Sequence, residues 1–237
     1  MRATQRTAAV AMLLAAGLTG VSGCGNKEQA STFSPVGNKA AAEMNSERSK
    51  FERSEDPPFN ANTRFAAGQL AESQGAPQRA VAQYQEALKL DPKLLPAAYR
   101  LGVCFTQMRD YPKAIAAWQN YVKLTNGSAT AFGNLGFCLE LSGQKPQAED
   151  AYQQGIAKDP KSQPCRINYG LMLARAGRID DALQQLRAVL SEAESHYNLA
   201  SVYEQQGKKA PARDEYAKAL QLDPGMWEAK QRLEAMK

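Results

Sequence analysis

Residues 61–94 read ANTRFAAGQLAESQGAPQRAVAQYQEALKLDPKL, and this stretch decides the fold. Its small residues Gly68, Gly75 and Ala80, its bulky Tyr84, the pair Ala87 and Leu88, and Pro92 are spaced as two short amphipathic helices joined by a turn. The pattern returns four more times at a period near 34 residues, so the chain is an array of one motif, the sequence signature of a solenoid. The place of Gly68 is refilled by Gly102, Gly136, Gly170 and Ala200, and that of Ala80 by Ala114, Ala148, Ala182 and Ala212. One small residue on each helix of a pair lets two backbones approach closely. The place of Tyr84 receives Trp118, Tyr152, Leu186 and Tyr216, bulky groups whose burial stabilises by about 1.5–3 kcal/mol each.

The punctuation agrees. Gly75, Gly143, Gly177 and Gly207 stand where the first helix must end, with Arg109 in that place in the second unit. Pro77, Pro112, Pro146 and Pro211 fall in the first turn of the second helix, where the missing N–H costs nothing. Pro92, Pro160 and Pro224 close units. These residues resemble the tetratricopeptide repeat (TPR) family across 61–226, in units 61–94, 95–128, 129–162, 163–192 and 193–226. The resemblance implies an all-α, right-handed solenoid of five helix-turn-helix units. Residues 227–237, with Trp227, Leu233 and Met236 among charges, are expected to form the capping helix that an exposed solenoid end requires. Two departures stand out. The fourth unit is short, with its second helix expected to end near Leu190, and the second carries Tyr121 and Asn126 in the places of Ala87 and Pro92.

Upstream, residues 1–23 combine a basic start, an apolar run from Ala8 to about Gly20 and small residues, an export signal too short for a spanning helix. Val21-Ser22-Gly23-Cys24 resembles the lipobox of bacterial lipoproteins, which implies lipidation of Cys24, a membrane anchor and residence in the cell envelope, on the periplasmic face of the outer membrane in a Gram-negative host. Residues 24–60 are polar and non-repeating and read as a tether reaching about 30–35 Å. Within it, residues 40–53 are fair helix formers with Met44 and Phe51 on one face, an alternative in which part of the tether caps the first unit.

The net charge of +5 includes Arg2 and Arg6 of the leader, and acidic and basic residues are interspersed with no long basic run, which excludes a nucleic-acid-binding face. Cys104, Cys138 and Cys165 lack a CxxC spacing, so neither a metal nor a cofactor is expected, and they read as small core residues that make no disulfide. His196 is the sole histidine, and no hydrolase, zincin or phosphate-loop motif occurs, so neither an enzyme nor a small-molecule substrate is expected. Glu72, Glu140 and Glu204 recur at one place and read as a surface stripe.

The recurrence that points to function is Asn134, Asn168 and Asn198, with Arg100 in the same place in the second unit. In the TPR family this place faces the concave groove, and the resemblance implies an asparagine ladder on a peptide backbone. A side-chain amide both donates and accepts, matching a peptide group without reading its side chain. Asn that merely caps or solvates a helix has the same spacing. Phe65, Tyr99, Ile167 and Tyr197, with Val103, Phe137 and Leu171 one turn on, are expected by the same family geometry to wall the groove; packing between helices is the other use of such residues. The Lys and Asn pattern of carboxylate-clamp TPR domains is missing. Lipobox, tether and array together resemble the layout of TPR lipoproteins that assist type IV and Flp/Tad pilus assembly. The reading is a non-catalytic scaffold for protein or peptide partners; the competing reading is a subunit that positions or activates an envelope enzyme, such as one remodelling the cell wall.

Overall fold

The computed structural model describes residues 60–236. The leader, Cys24, the tether up to Phe59 and the helical option at 40–53 lie outside the described residues. Among the described residues eleven helices run in order: α1 (Ala61–Ser73), α2 (Pro77–Leu90), α3 (Leu95–Gln107), α4 (Tyr111–Leu124), α5 (Ala129–Leu141), α6 (Lys145–Lys158), α7 (Gln163–Arg175), α8 (Ile179–Arg187), α9 (Glu192–Gln205), α10 (Lys209–Leu222) and α11 (Trp227–Ala235). Each odd-numbered helix from α1 to α9 packs on the one that follows it, and the resulting pairs stack in sequence order, an all-helical solenoid. None of these helices is long and apolar enough to cross a membrane.

The first helix of every unit ends in the same way. After α1 the Gly75 N–H donates to the Glu72 carbonyl and the Ala76 N–H to that of Ala71, the paired bonds of a Schellman motif, with Gly75 left-handed at φ +68°. The arrangement repeats after α3, α5, α7 and α9, and in the second unit Arg109 adopts the left-handed backbone at φ +59° despite its Cβ. At the start, Asn60 and Thr63 cap α1 reciprocally, as Ser191 and Glu194 cap α9.

Inside each unit one bulky side chain of the second helix lies on the small residue of the first. A Cβ added to Gly102 would come within 2.7 Å of the Trp118 ring, and one added to Gly136 within 2.8 Å of Tyr152. Tyr84, Trp118, Tyr152, Leu186 and Tyr216 are all buried there. One apolar core continues from Ala71 to Val202, and a smaller cluster of Ala200, Ala212, Tyr216 and Ala219 is closed by Ala229 of α11. Glu234 of α11, exposed and charged, stands in the place of Gly68, where the full units carry the small residue that meets their own second helix.

The two departures take specific forms. Asp91, Asp159 and Asp223 end α2, α6 and α10 in extended backbone, each accepting a hydrogen bond from the N–H two residues on. After α4 that turn is replaced by Asn126 and Gly127, both left-handed, and Ser128 caps α5. The second helix of the fourth unit ends at Arg187, three residues before the expected Leu190, and is 9 residues long where the other second helices have 14.

Candidate functional site

The recurring carboxylates are not a surface stripe. Glu72, Glu140 and Glu204 each accept a hydrogen bond from the hydroxyl of the buried tyrosine 12 residues on, Tyr84, Tyr152 (3.4 Å) and Tyr216 (2.7 Å). In the second unit Thr106 takes the same place and its hydroxyl accepts from the indole Nε1 of Trp118 at 3.0 Å. In the fourth, the bulky residue is Leu186, with nothing to satisfy, and the facing place holds Ala174. A buried polar tip thus meets a partner in every unit that has one, and an apolar side chain meets a methyl. Sequence pattern placed these carboxylates outward because helix periodicity ignores how far a tyrosine hydroxyl reaches.

Three of them also bridge unit boundaries. Arg100 of α3 holds Glu72 with Nη2 at 2.6 Å and Nε at 2.8 Å, Arg175 of α7 holds Glu140 at 2.7 Å, and Arg232 of α11 approaches Glu204 at 3.4 Å. Burial alone would raise the Glu72 carboxyl, but hydrogen bonds from Tyr84, Arg100 and Cys104 outweigh it and hold the group below the usual carboxylate range. Burial and the Glu72 charge push the Cys104 thiol up to about 12, so it stays protonated and donates to Glu72 at 3.3 Å. Cys104, Cys138 and Cys165 are buried and free, and no group of His, Cys, Asp or Glu among the described residues is arranged to hold a metal. His196 is buried, its Nδ1 2.5 Å from Glu215, whose other oxygen accepts from Lys218 at 2.6 Å. Both partners are tied into the junction of α9 and α10, a structural use of the histidine.

The residues read as a groove wall divide into two sets. Phe65 lies 5.6 Å from the Tyr84 ring, and Tyr99 packs edge-on against Trp118 (5.4 Å) and Tyr121 (5.6 Å). Phe65, Tyr99 and Arg100 come together with Leu95, Pro96 and Tyr121 around an open depression of about 380 Å³ between the first two units. Tyr121 and Leu95 were missed as wall residues; the signal for Tyr121 in the sequence was a bulky ring where the first, third and fifth units carry Ala87, Gly155 and Ala219. The remaining residues do not join this depression. Phe137 is exposed on α5, Ile167 and Leu171 are half-buried on α7, and Tyr197 packs on Tyr216 at 5.3 Å.

The four polar candidates occupy equivalent places with different engagements. Arg100 is committed to Glu72. Asn134 has a buried amide nitrogen with no hydrogen-bond partner, Asn168 is half-buried, and Asn198 donates back to the Glu194 carbonyl of its own helix at 2.8 Å.

Residues 40–94, 65–129, 99–163 and 142–195, and then 193–226, match sequence models of the tetratricopeptide repeat. The chain belongs to the tetratricopeptide repeat family. Among solved TPR structures, YrrB, a TPR protein with an unusual peptide-binding site, is 24% identical over 79% of this chain and 97% of its own, with a TM-score of 0.51. MamA is 24% identical over 68% of this chain and 90% of its own at a TM-score of 0.56, and the thermophilic TPR protein TTC0263 of Thermus thermophilus is 21% identical over 74% and 98% at 0.52. At these identities the likeness is one of TPR fold. No curated protein matches the chain.

Proposed function

We propose that this chain is a non-catalytic scaffold that holds a segment of a partner protein on the face of its first helices, with the depression between units one and two as the main anchor point. The observation that carries the reading is the clustering of Phe65, Leu95, Pro96, Tyr99 and Tyr121 around open space large enough for one bulky apolar side chain. Aromatic groups with their edges already packed present rigid contact area at small entropic cost, which is how a few residues come to dominate binding. The asparagines of α5, α7 and α9 then serve the partner's backbone further along the array, Asn198 through its carbonyl oxygen. The TPR fold is itself that of an interaction scaffold, and YrrB, of the same fold, has a peptide-binding site.

The test uses substitutions that leave the fold alone. Leu95 is 40% exposed at the rim of the depression and Leu222 is 52% exposed away from it. Leu95→Glu is expected to reduce partner capture, by in-cell crosslinking and mass spectrometry, tenfold or more, with Leu222→Glu at the wild-type level and both melting within about 2 °C of the parent. Capture unaffected by Leu95→Glu would place the anchor elsewhere.

We further propose that Cys24 carries the lipid that holds this scaffold at the envelope membrane, on the resemblance of residues 21–24 to a lipobox. Two or more acyl chains anchor stably where one is marginal. Labelled fatty acid is expected in the wild type and not in Cys24→Ser; an unlabelled wild type overturns the anchor. Assembly of a pilus is the envelope process its layout fits, and positioning of a cell-wall enzyme is the alternative; the identity of the crosslinked partner separates the two.

A further inference from the structure

The hydroxyls of Tyr84, Tyr152, Tyr169 and Tyr216 each donate to a carboxylate, that of Glu72, Glu140, Glu149 and Glu204 in turn. Tyr99 and Tyr121 depart from this habit. Both line the depression between units one and two, and their hydroxyls hydrogen-bond to none of the described residues. Their rings, 5.6 Å apart and inclined at 64°, form a corner, and Phe65 of α1 adds a third ring to the lining. Leu95, Pro96 and Arg100 complete it, so it holds no carboxylate and no amide side chain. Burial and the neighbouring Tyr99 phenol raise the Tyr121 hydroxyl above its ordinary value, which keeps its proton in place for donation. The Arg100 guanidinium, already held by Glu72, can only donate.

We propose that the depression takes a proline from an extended, proline-rich segment of the partner, its ring on Tyr99 and Tyr121 and the flanking carbonyls accepting from their hydroxyls. The proposal rests on the reading of the depression as the anchor and names its occupant. Hydrogen-bonding chemistry selects proline over leucine or phenylalanine. Any other residue brings a backbone N–H beside its side chain, and this lining has no carboxylate or amide to receive it, whereas proline has no N–H to satisfy. The depression is open, which suits a ring fixed close to its own backbone better than a side chain on a long stem. A lysine or arginine on the same rings would meet the charge of Arg100. A proline-rich segment also holds the polyproline II conformation before it binds, so docking on an aromatic surface costs it little conformational freedom.

Nuclear magnetic resonance on the full-length chain, with octaproline as the probe, tests this. Trp118 packs on both rings, at 5.4 Å and 5.9 Å, and its indole signal is the reporter, while Trp227, 60% exposed on α11, is the reference. The Trp118 signal is expected to shift with a dissociation constant of about 1 mM or tighter, and that of Trp227 to stay. A Gly-Ser peptide of the same length carrying two leucines should bind at least tenfold more weakly. Tyr121→Ala, a change to the residue that units one and five carry in that place, should weaken octaproline at least tenfold. Tyr99→Phe/Tyr121→Phe, which keeps the rings, should weaken it at least threefold. The absence of a saturable Trp118 shift overturns the proposal. So does a shift confined to Trp227, equal binding of the leucine peptide, or octaproline binding that both variants leave unchanged. If octaproline fails while Leu95→Glu still cuts partner capture, the anchor stands with another occupant; if Leu95→Glu has no effect either, the anchor itself has failed.

Discussion

Tyr152→Ala is expected to cost the array about 3–5 kcal/mol, the largest single-site effect on its stability. The side chain is fully buried at the centre of the third unit, with its ring against Gly136 and 6.0 Å from the Tyr169 ring. Removing it opens a cavity whose far wall is a glycine backbone already at closest approach, so α5 has no side chain to swing into the space. In a stack where each unit touches only its neighbours, the loss at the middle unit also weakens both flanking interfaces. Urea unfolding followed by circular dichroism reads this as a large fall in midpoint. Tyr152→Phe keeps the ring and gives up only the bond to Glu140, so its expected loss is about 1 kcal/mol. Equal losses for the two variants would mean that the hydroxyl, not the ring, holds the unit together.

Glu72→Ala is expected to cost about 2–3 kcal/mol, because one carboxylate serves the Tyr84 hydroxyl, the Arg100 guanidinium and the Cys104 thiol at once. Most of that loss comes from Tyr84, whose hydroxyl is left buried without an acceptor. Adding Tyr84→Phe should therefore recover about 1 kcal/mol, reproducing the all-apolar solution that Leu186 and Ala174 adopt in unit four. The effect also carries a pH signature. The folded carboxyl is depressed, so its stabilisation is present above the ordinary value of about 4.3 and drains away as pH falls toward the folded value. The gap between wild type and Glu72→Ala should narrow steadily below about pH 4. A gap constant from pH 7 to 3 would show that ionised Glu72 contributes nothing through its charge.

The repeat itself was legible because it is written in residues that only one backbone tolerates. Glycine at the end of four first helices, a small residue facing each bulky one, and Asp-Pro after three second helices all carry their geometry with them. Arg109 shows the limit of that logic. It sits left-handed with a Cβ, at a cost of about 1 kcal/mol or more, because the hydrogen bonds of the shared turn outweigh the penalty. The site was legible only in part. Arg100 and the three asparagines share one place in the repeat, yet Arg100 turns to the preceding unit because Glu72 is there, and Asn198 folds back on its own helix. What Arg100 does at such a place depends on Glu72, a residue of the preceding unit. Single-helix periodicity cannot register that neighbour. The wall residue Tyr121 was missed for the same reason, since Tyr99 and Leu95, which share the depression with it, stand on another helix.

The pairing of each bulky side chain with its facing residue closes within a single unit, and this has a consequence for how such a chain can change over time. Excision or duplication of a whole 34-residue block leaves every remaining pair intact, so modules can be traded without repairing their interiors. The arginine bridges behave oppositely, because each joins two blocks. Deleting residues 95–128 would bring Asn134 to Glu72 in place of Arg100, a shorter and uncharged partner. The heritable unit of this chain is the block, while the order of the blocks is recorded at their seams.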